Sequence, residues 1–165
     1  GDIVSLDAGL IYEGYHSDAA RTHAVGEVSE EAKKLIQVTK ECFFEGIKYA
    51  KAGNHLFDIS GAIGRYAEER GYGVVRDLCG HGIGTALHEA PEIPNYEVGR
   101  KGVKLRPGMT LAIEPMINIG TYEVDWLDDD WTVVTRDGSL SAHYENTILI
   151  TEGEPRILSL TCDNE

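Results

Sequence analysis

The sequence predicts an α+β fold, and three observations carry that prediction. A hairpin signal opens the chain, two amphipathic helical stretches follow it, and short β-like segments separated by Gly, Pro and Asp turns fill the remainder. That order differs from the regular strand–helix alternation of a βαβ protein. At 165 residues, with 42% hydrophobic and 26% charged residues, the chain is about one domain of ordinary globular composition.

Each element has its own signal. Residues 3–25 form the hairpin, with Glu13-Gly14 as a two-residue turn between β-compatible runs. If the turn is that short, Tyr12 faces Tyr15 and Asp7 faces Ala20. The stretch SEEAKKLIQVTKECFFEGIKYAKAG is a helix. Ser29 caps it, Glu30 and Glu31 suit its positive first turn, and Gly53 ends it. Its apolar face is Ala32, Leu35, Ile36, Phe43, Ile47 and Ala50. A second helix spans about Leu56 to Arg70, with Leu56, Ile59, Ile63 and Ala67 inward and Gly71 as its stop. Strands are expected in VVRDL, MTLAIEP, WTVVT and YENTILI, and the glycine-rich CGHGIGTALHEAPEIPNY, residues 79–96, reads as a loop. The opening GDIVSLDAG lacks an initiator Met and enters a strand at once, as a piece of a longer polypeptide would.

Charge and cysteine content narrow the function. A net charge of −13 argues against nucleic acid, whose phosphates need clustered Lys and Arg. It suits a cationic ligand, or carboxylates neutralised by metal. Cys42, Cys79 and Cys162 are odd in number and share no CxxC spacing, which points to a reducing cytosol. No apolar run approaches a membrane span, and no signal peptide is visible.

Four acids stand out. The hairpin register puts Asp18 two positions from the partner of Asp7, so the two carboxylates share one face diagonally. Solvated acids on an exposed face are the commoner fate of Asp, but the apolar VSLDAGL around Asp7 argues for burial. Glu114 ends the apolar MTLAIEP, where Pro115 forces it into extended backbone. Glu145 shares a strand face with Thr147 and Leu149 if Ile148 and Ile150 share the other. A buried carboxylate needs a partner. Neither Glu has an adjacent Lys or Arg, and a metal would serve. His81, between two glycines, reads either as a core histidine in a turn or as an imidazole ligand, with the glycines leaving room for substrate and metal. His88 reads equally as a surface residue. His16, His23, His55 and His143 have no distinctive context, although His143 is near Glu145. Four acids and one histidine suit Mn, Fe or Co better than a structural zinc, and bridging carboxylates suit two ions about 3.5–4 Å apart.

Taken together, LDAGLIYEGYHSDAART, CGHGIGTALHEAPEIPNY, LRPGMTLAIEPMINIG and WTVVTRDGSLSAHYENT, in this order, resemble the type I methionine aminopeptidases of bacterial style. The resemblance implies a pita-bread (creatinase/aminopeptidase-like) fold, with a curved, mostly antiparallel sheet packed against helices. It implies one catalytic domain over residues 1–165, missing an N-terminal portion that supplies two helices, strand pairing, more of the pocket and another substrate-contacting histidine. Without that portion a sheet edge and an apolar face would stand bare. Two divalent ions (Co, Mn, Fe or Zn) are implied. Asp7 matches the bidentate ligand of one, Asp18 and Glu145 match the bridging acids, and His81 and Glu114 match ligands of the other.

By the same resemblance, Glu114 passes a water's proton to the leaving amine and His88 meets the scissile amide. Leu87 and Trp131 line a methionine pocket. The family often has an aromatic where Leu87 stands, so that wall is softer here, and a glycine directly before the Trp, where Asp130 stands. The implied substrate is the N-terminal Met of nascent polypeptides in the cytoplasm. The implied full-length protein is a monomer that associates transiently with the ribosome and binds neither nucleic acid nor membrane. Two other readings compete: an X-Pro aminopeptidase or dipeptidase of the same fold, and a non-catalytic fragment or binding module.

Overall fold

The computed structural model describes residues 1–160, and Cys162 lies outside them. Strands β1 (Ile3–Tyr12) and β2 (Tyr15–Ala24) form the hairpin in the expected register, Tyr12 against Tyr15 and Asp7 against Ala20. Glu13 and Gly14 both adopt positive φ, at 49° and 84°, the backbone a two-residue hairpin turn requires. Contrary to the burial expected from its apolar sequence, β1 lies on the surface, with Leu6 and Leu10 each 60% exposed. Its outer edge pairs with no strand among the described residues.

Helix α1 (Glu30–Ile47) starts where the cap signal places it, and the Ser29 hydroxyl accepts from the Ala32 N–H at 3.1 Å. It stops six residues before Gly53. The chain tightens after Ile47, with Tyr49 N–H donating to Gly46 O, and Gly53 N–H then donates to Leu105 O. Pairing with the Val103–Leu105 segment therefore ends the helix before its glycine is reached. Helix α2 (Leu56–Glu68) buries its expected stripe of Leu56, Ile59, Ile63 and Ala67. His55 precedes it, and its backbone N–H donates to Asp58 Oδ2 at 2.8 Å.

The two helices touch at Gly46. A Cβ there would lie 2.6 Å from Ile63 Cγ1, and Ile63 is fully buried and has nowhere to go. Gly46→Ala is expected to destabilise the fold by about 1–3 kcal/mol, read as a lower midpoint in urea. An unchanged midpoint would mean that the helices pack less closely than they do here.

Ten short strands follow among the described residues: β3 (Gly73–Val74), β4 (Gly80–Gly82), β5 (Glu89–Ile93), β6 (Thr110–Ile113), β7 (Met116–Asn118), β8 (Val124–Trp126), β9 (Val133–Thr135), β10 (Ser141–His143), β11 (Asn146–Leu149) and β12 (Arg156–Ile157). They make one sheet ordered β12-β11-β6-β4-β5, a second ordered β10-β7-β3, and the hairpin β8-β9, with every pairing antiparallel. Of VVRDL, only its first residue is in a strand, whereas the supposed loop at 79–96 contains β4 and β5. Helices and sheets close over a core that includes Leu35, Phe43, Ile59, Leu111, Ile117 and Ile148. Each such side chain contributes about 1.5–3 kcal/mol by leaving water.

The two larger sheets are joined by strands that pass from one to the other. Glu114 and Pro115 lie between β6 and β7, and Tyr144 and Glu145 lie between β10 and β11. The crossings are adjacent, since Tyr144 N–H donates to Pro115 O at 3.2 Å. Strand β2 docks on the same seam, with Glu145 N–H donating to Ala20 O at 2.9 Å.

Candidate metal centre

The seam gathers the charged residues. Proline at 115 removes a backbone donor and holds Glu114 extended, and Asn95 Nδ2 donates to Glu114 O at 3.1 Å. Asp18 is held by Thr147, whose hydroxyl accepts from Asp18 N–H at 2.9 Å and donates to Asp18 O at 3.0 Å. Gly9 pairs with Asp18, so Asp7 and Asp18 stand diagonally on one face, where burial and the Asp18 charge raise the Asp7 pKa against the lowering effect of His143. Arg21 ties the hairpin down: its guanidinium donates to Ala20 O, Glu145 O and Asn146 Oδ1 and stacks 4.1 Å from the Tyr144 ring centroid.

His81 belongs to a strand, not a turn. It sits in β4 with Ala112 of β6 on one side and Glu92 of β5 on the other. Its Nδ1–H donates to Gly82 O at 2.9 Å, leaving Nε2 free to face Glu114 Oε1 at 3.5 Å. The glycines beside it are closely packed against the protein's own atoms. A Cβ on Gly80 would strike Ala112 O, one on Gly82 would strike Ala90 O, and one on Gly84 would press the Glu89 carboxylate at 3.1 Å.

Two sets of side chains each bring one donor atom within 4.8 Å of the others: Asp7, His143 and Glu145, and Asp18, His81 and Glu145. Glu145 belongs to both. It is 1% exposed, its Oε1 has no hydrogen-bond partner, and desolvation, followed by repulsion from Glu114, Asp18 and Asp7, lifts its pKa to about 10. A carboxylate set among three others, with Arg21 only partly offsetting their charge and bonding its backbone carbonyl rather than its carboxylate, fits a cation site. Sequence reasoning passed over His143. Its signal was present, because strand alternation puts His143 and Glu145 on one face, two residues apart. Glu114 thus has a second imidazole neighbour besides His81, with His143 Nε2 at 3.5 Å from Oε2.

The remaining candidates lie around this cluster. His88 packs edge-on against His81, with ring centroids 4.4 Å apart. Both line a cavity of about 840 Å³ walled by Phe57, Pro91, Pro94 and Val103. Leu87 lies over β1 beside Asp18, since a Cβ on Gly9 would meet Leu87 Cδ1 at 3.4 Å and Asp18 Oδ1 at 3.5 Å. Trp131, at the β8–β9 turn, is 85% exposed. Asp130 before it adopts φ 55°, so the left-handed backbone that a glycine would favour is kept by an Asp.

Carboxylates and imidazoles converging on a shared buried acid, where two antiparallel sheets exchange strands, define a protein built to hold divalent metal. Similarity makes the class specific. The model of metallopeptidase family M24 matches residues 1–152, and the chain belongs to that family. Membership implies divalent-metal binding, and the donors at the seam fit it.

A methionine aminopeptidase of Clostridium acetobutylicum is 60% identical over 160 residues, which are 97% of this chain and 64% of that protein. The chain therefore spans less than two thirds of the length of such relatives. Among solved structures, a methionine aminopeptidase of Thermotoga maritima matches with a TM-score of 0.94 at 50% identity, over 98% of this chain and 65% of that one. A prolidase of Pyrococcus furiosus matches with a TM-score of 0.76 at 29% identity, over 98% and 42%. The architecture is the pita-bread fold expected from the motifs.

Proposed function

We propose that the chain carries the metal centre of a methionine aminopeptidase, which removes the N-terminal Met of nascent polypeptides. The observation that supports this most is the pair of donor sets sharing Glu145, with His88 set against His81. Two divalent ions are the natural complement of two such sets, drawn from Mn, Fe, Co or Zn. When bound, they neutralise the carboxylates and bring water near neutral acidity.

The chain's own groups do the rest. Asp7, Asp18, His81, Glu114 and Glu145 would hold the ions. Glu114 accepts the attacking water's proton at its carboxylate and returns it to the leaving amine. His88, exposed above His81, donates to the carbonyl oxygen as negative charge grows there. Leu87 and Trp131 contact the Met side chain, whose flexible thioether adapts to a loosely shaped wall. Such substrates are met where proteins are made, in the cytoplasm, and transient ribosome association of a monomer agrees with that role. No helix among the described residues is long and apolar enough to cross a membrane.

Identities of 60% to a methionine aminopeptidase and 29% to a prolidase favour Met over X-Pro specificity. The metal-loaded protein is expected to release Met from Met-Ala-Ser and to leave Ala-Pro-Ser intact. Cleavage of Ala-Pro-Ser instead assigns the X-Pro activity, and inertness toward both with metal bound assigns a binding module.

A further inference from the structure

Leu87 and His88 stand on a short excursion of the chain between β4 and β5. β4 ends at Gly82 and β5 begins at Glu89, so the six residues between them belong to no strand. The start of the excursion is anchored by backbone. Ile83 N–H donates to Thr110 O at 3.2 Å, and Gly84 O accepts from His16 N–H of β2 at 2.7 Å. Beyond Gly84 the anchor is a side chain, that of Glu89. Its Oε1 accepts from Ala86 N–H at 2.8 Å and from the Thr85 hydroxyl at 3.2 Å. The carboxylate is seated over Gly84, where a Cβ would stand 3.1 Å from each of its oxygens. The Ala86 N–H first, and Thr85 after it, hold the Glu89 carboxyl below the usual carboxylate range, so the acceptor is charged at neutral pH.

The excursion presents the two residues that follow Ala86. Leu87 reaches back toward Gly9 of β1, and His88 stands edge-on to His81 with ring centroids 4.4 Å apart. The two are consecutive, so slack at Ala86 moves both. Exposed backbone outside a ladder opens easily unless something ties it. Glu89 ties it by closing a ring: it follows His88 in the chain and grips the backbone two residues before it.

We infer that Glu89 is a positioning residue of the reaction, whose carboxylate ties the 84–88 excursion and so fixes where His88 and Leu87 meet the substrate. This deepens the proposed function and rests on the roles given there to those two residues. Glu89 acts through its reach rather than its charge, and its effect on turnover passes through His88.

The test separates reach from charge in the metal-loaded protein. Glu89→Gln keeps an acceptor oxygen at the same reach without the charge. Glu89→Asp keeps the charge and withdraws it by one methylene. With Met-Ala-Ser, Glu89→Ala and Glu89→Asp are expected to lower kcat by about 10–100-fold, and Glu89→Gln by no more than about threefold. The loss falls on kcat because His88 meets its charge only in the transition state. In a His88→Ala background, Glu89→Ala is expected to lower kcat by less than about twofold more, since residues that act as one unit are not additive. Full turnover by Glu89→Asp, or a loss in Glu89→Gln as large as that in Glu89→Ala, overturns the inference. So do losses that multiply with His88→Ala, or a fall in bound metal in Glu89→Ala. Should Glu89→Ala not fold, Glu89→Gln and Glu89→Asp decide the matter. If wild type binds metal and releases no Met, the proposed function fails, and the tie is judged by hydrogen exchange at the Ala86 amide. Glu89→Asp should speed that exchange and Glu89→Gln should not, and equal rates in wild type and both variants overturn it.

Discussion

Raising the pH from about 6 to about 9 is expected to weaken the metal-free protein markedly, and Glu145→Gln is expected to abolish most of that loss. The sign follows from proton linkage. Glu145 has its pKa raised from 4.5 to about 10 by burial and by the neighbouring carboxylates. Between those two values the folded state holds a proton that the unfolded chain has released. Stability is therefore highest below the unfolded value and falls as pH rises toward the folded one. The loss approaches about 1.4 kcal/mol per pH unit for one such group. A neutral amide at 145 carries no such proton, so its melting curve should vary far less with pH. Saturating divalent metal should flatten the wild-type curve too, because the ion supplies the charge that burial denies. Parallel pH curves for wild type and Glu145→Gln would show that Glu145 is not the strained acid of the seam.

The second large effect belongs to Glu114. At saturating metal, Glu114→Gln is expected to lower the turnover of Met-Ala-Ser by about 10²–10⁴-fold, the usual contribution of a placed general base. The substitution keeps the shape of the side chain and the extended backbone before Pro115. Asn95 continues to hold the residue through its carbonyl, since that bond does not involve the carboxylate. What disappears is the ionisable oxygen of a carboxylate flanked by His81 Nε2 and His143 Nε2, each 3.5 Å from one carboxylate oxygen. Near-full turnover by this variant with metal bound would remove Glu114 from proton transfer and leave it, at most, a ligand.

Local sequence grammar made some of this legible. The hairpin register followed from a two-residue turn at Glu13-Gly14, and with it the shared face of Asp7 and Asp18. The stripe of α2 and the cap of α1 followed from spacing and from one serine. Features that depend on distant backbone did not follow. α1 ends early because residues 103–105 capture the chain beyond it, a contact no local signal encodes. The glycines around His81 look like a loop from composition alone. Their meaning is set by carbonyls of strands β5 and β6, which leave no room for a Cβ.

The site divides in the same way. Glu114 was marked by an apolar run and a proline. His143 carried the same kind of local clue, alternation with Glu145, but nothing local shows that both face the hairpin acids across two sheets. Apolar neighbours suggested that Asp7 is buried, yet its side chain is 53% exposed, because β1 is an outer strand with open apolar side chains.

The account stands most directly on the number of ions the seam binds. Calorimetric titration of the metal-free protein with Mn(II) or Co(II) should show two ions per chain for wild type. For Glu145→Gln, whose parent residue is shared by both donor sets, binding at both sites should fall sharply. Uptake that is absent in wild type, or identical in the two proteins, would contradict a metal centre organised around Glu145.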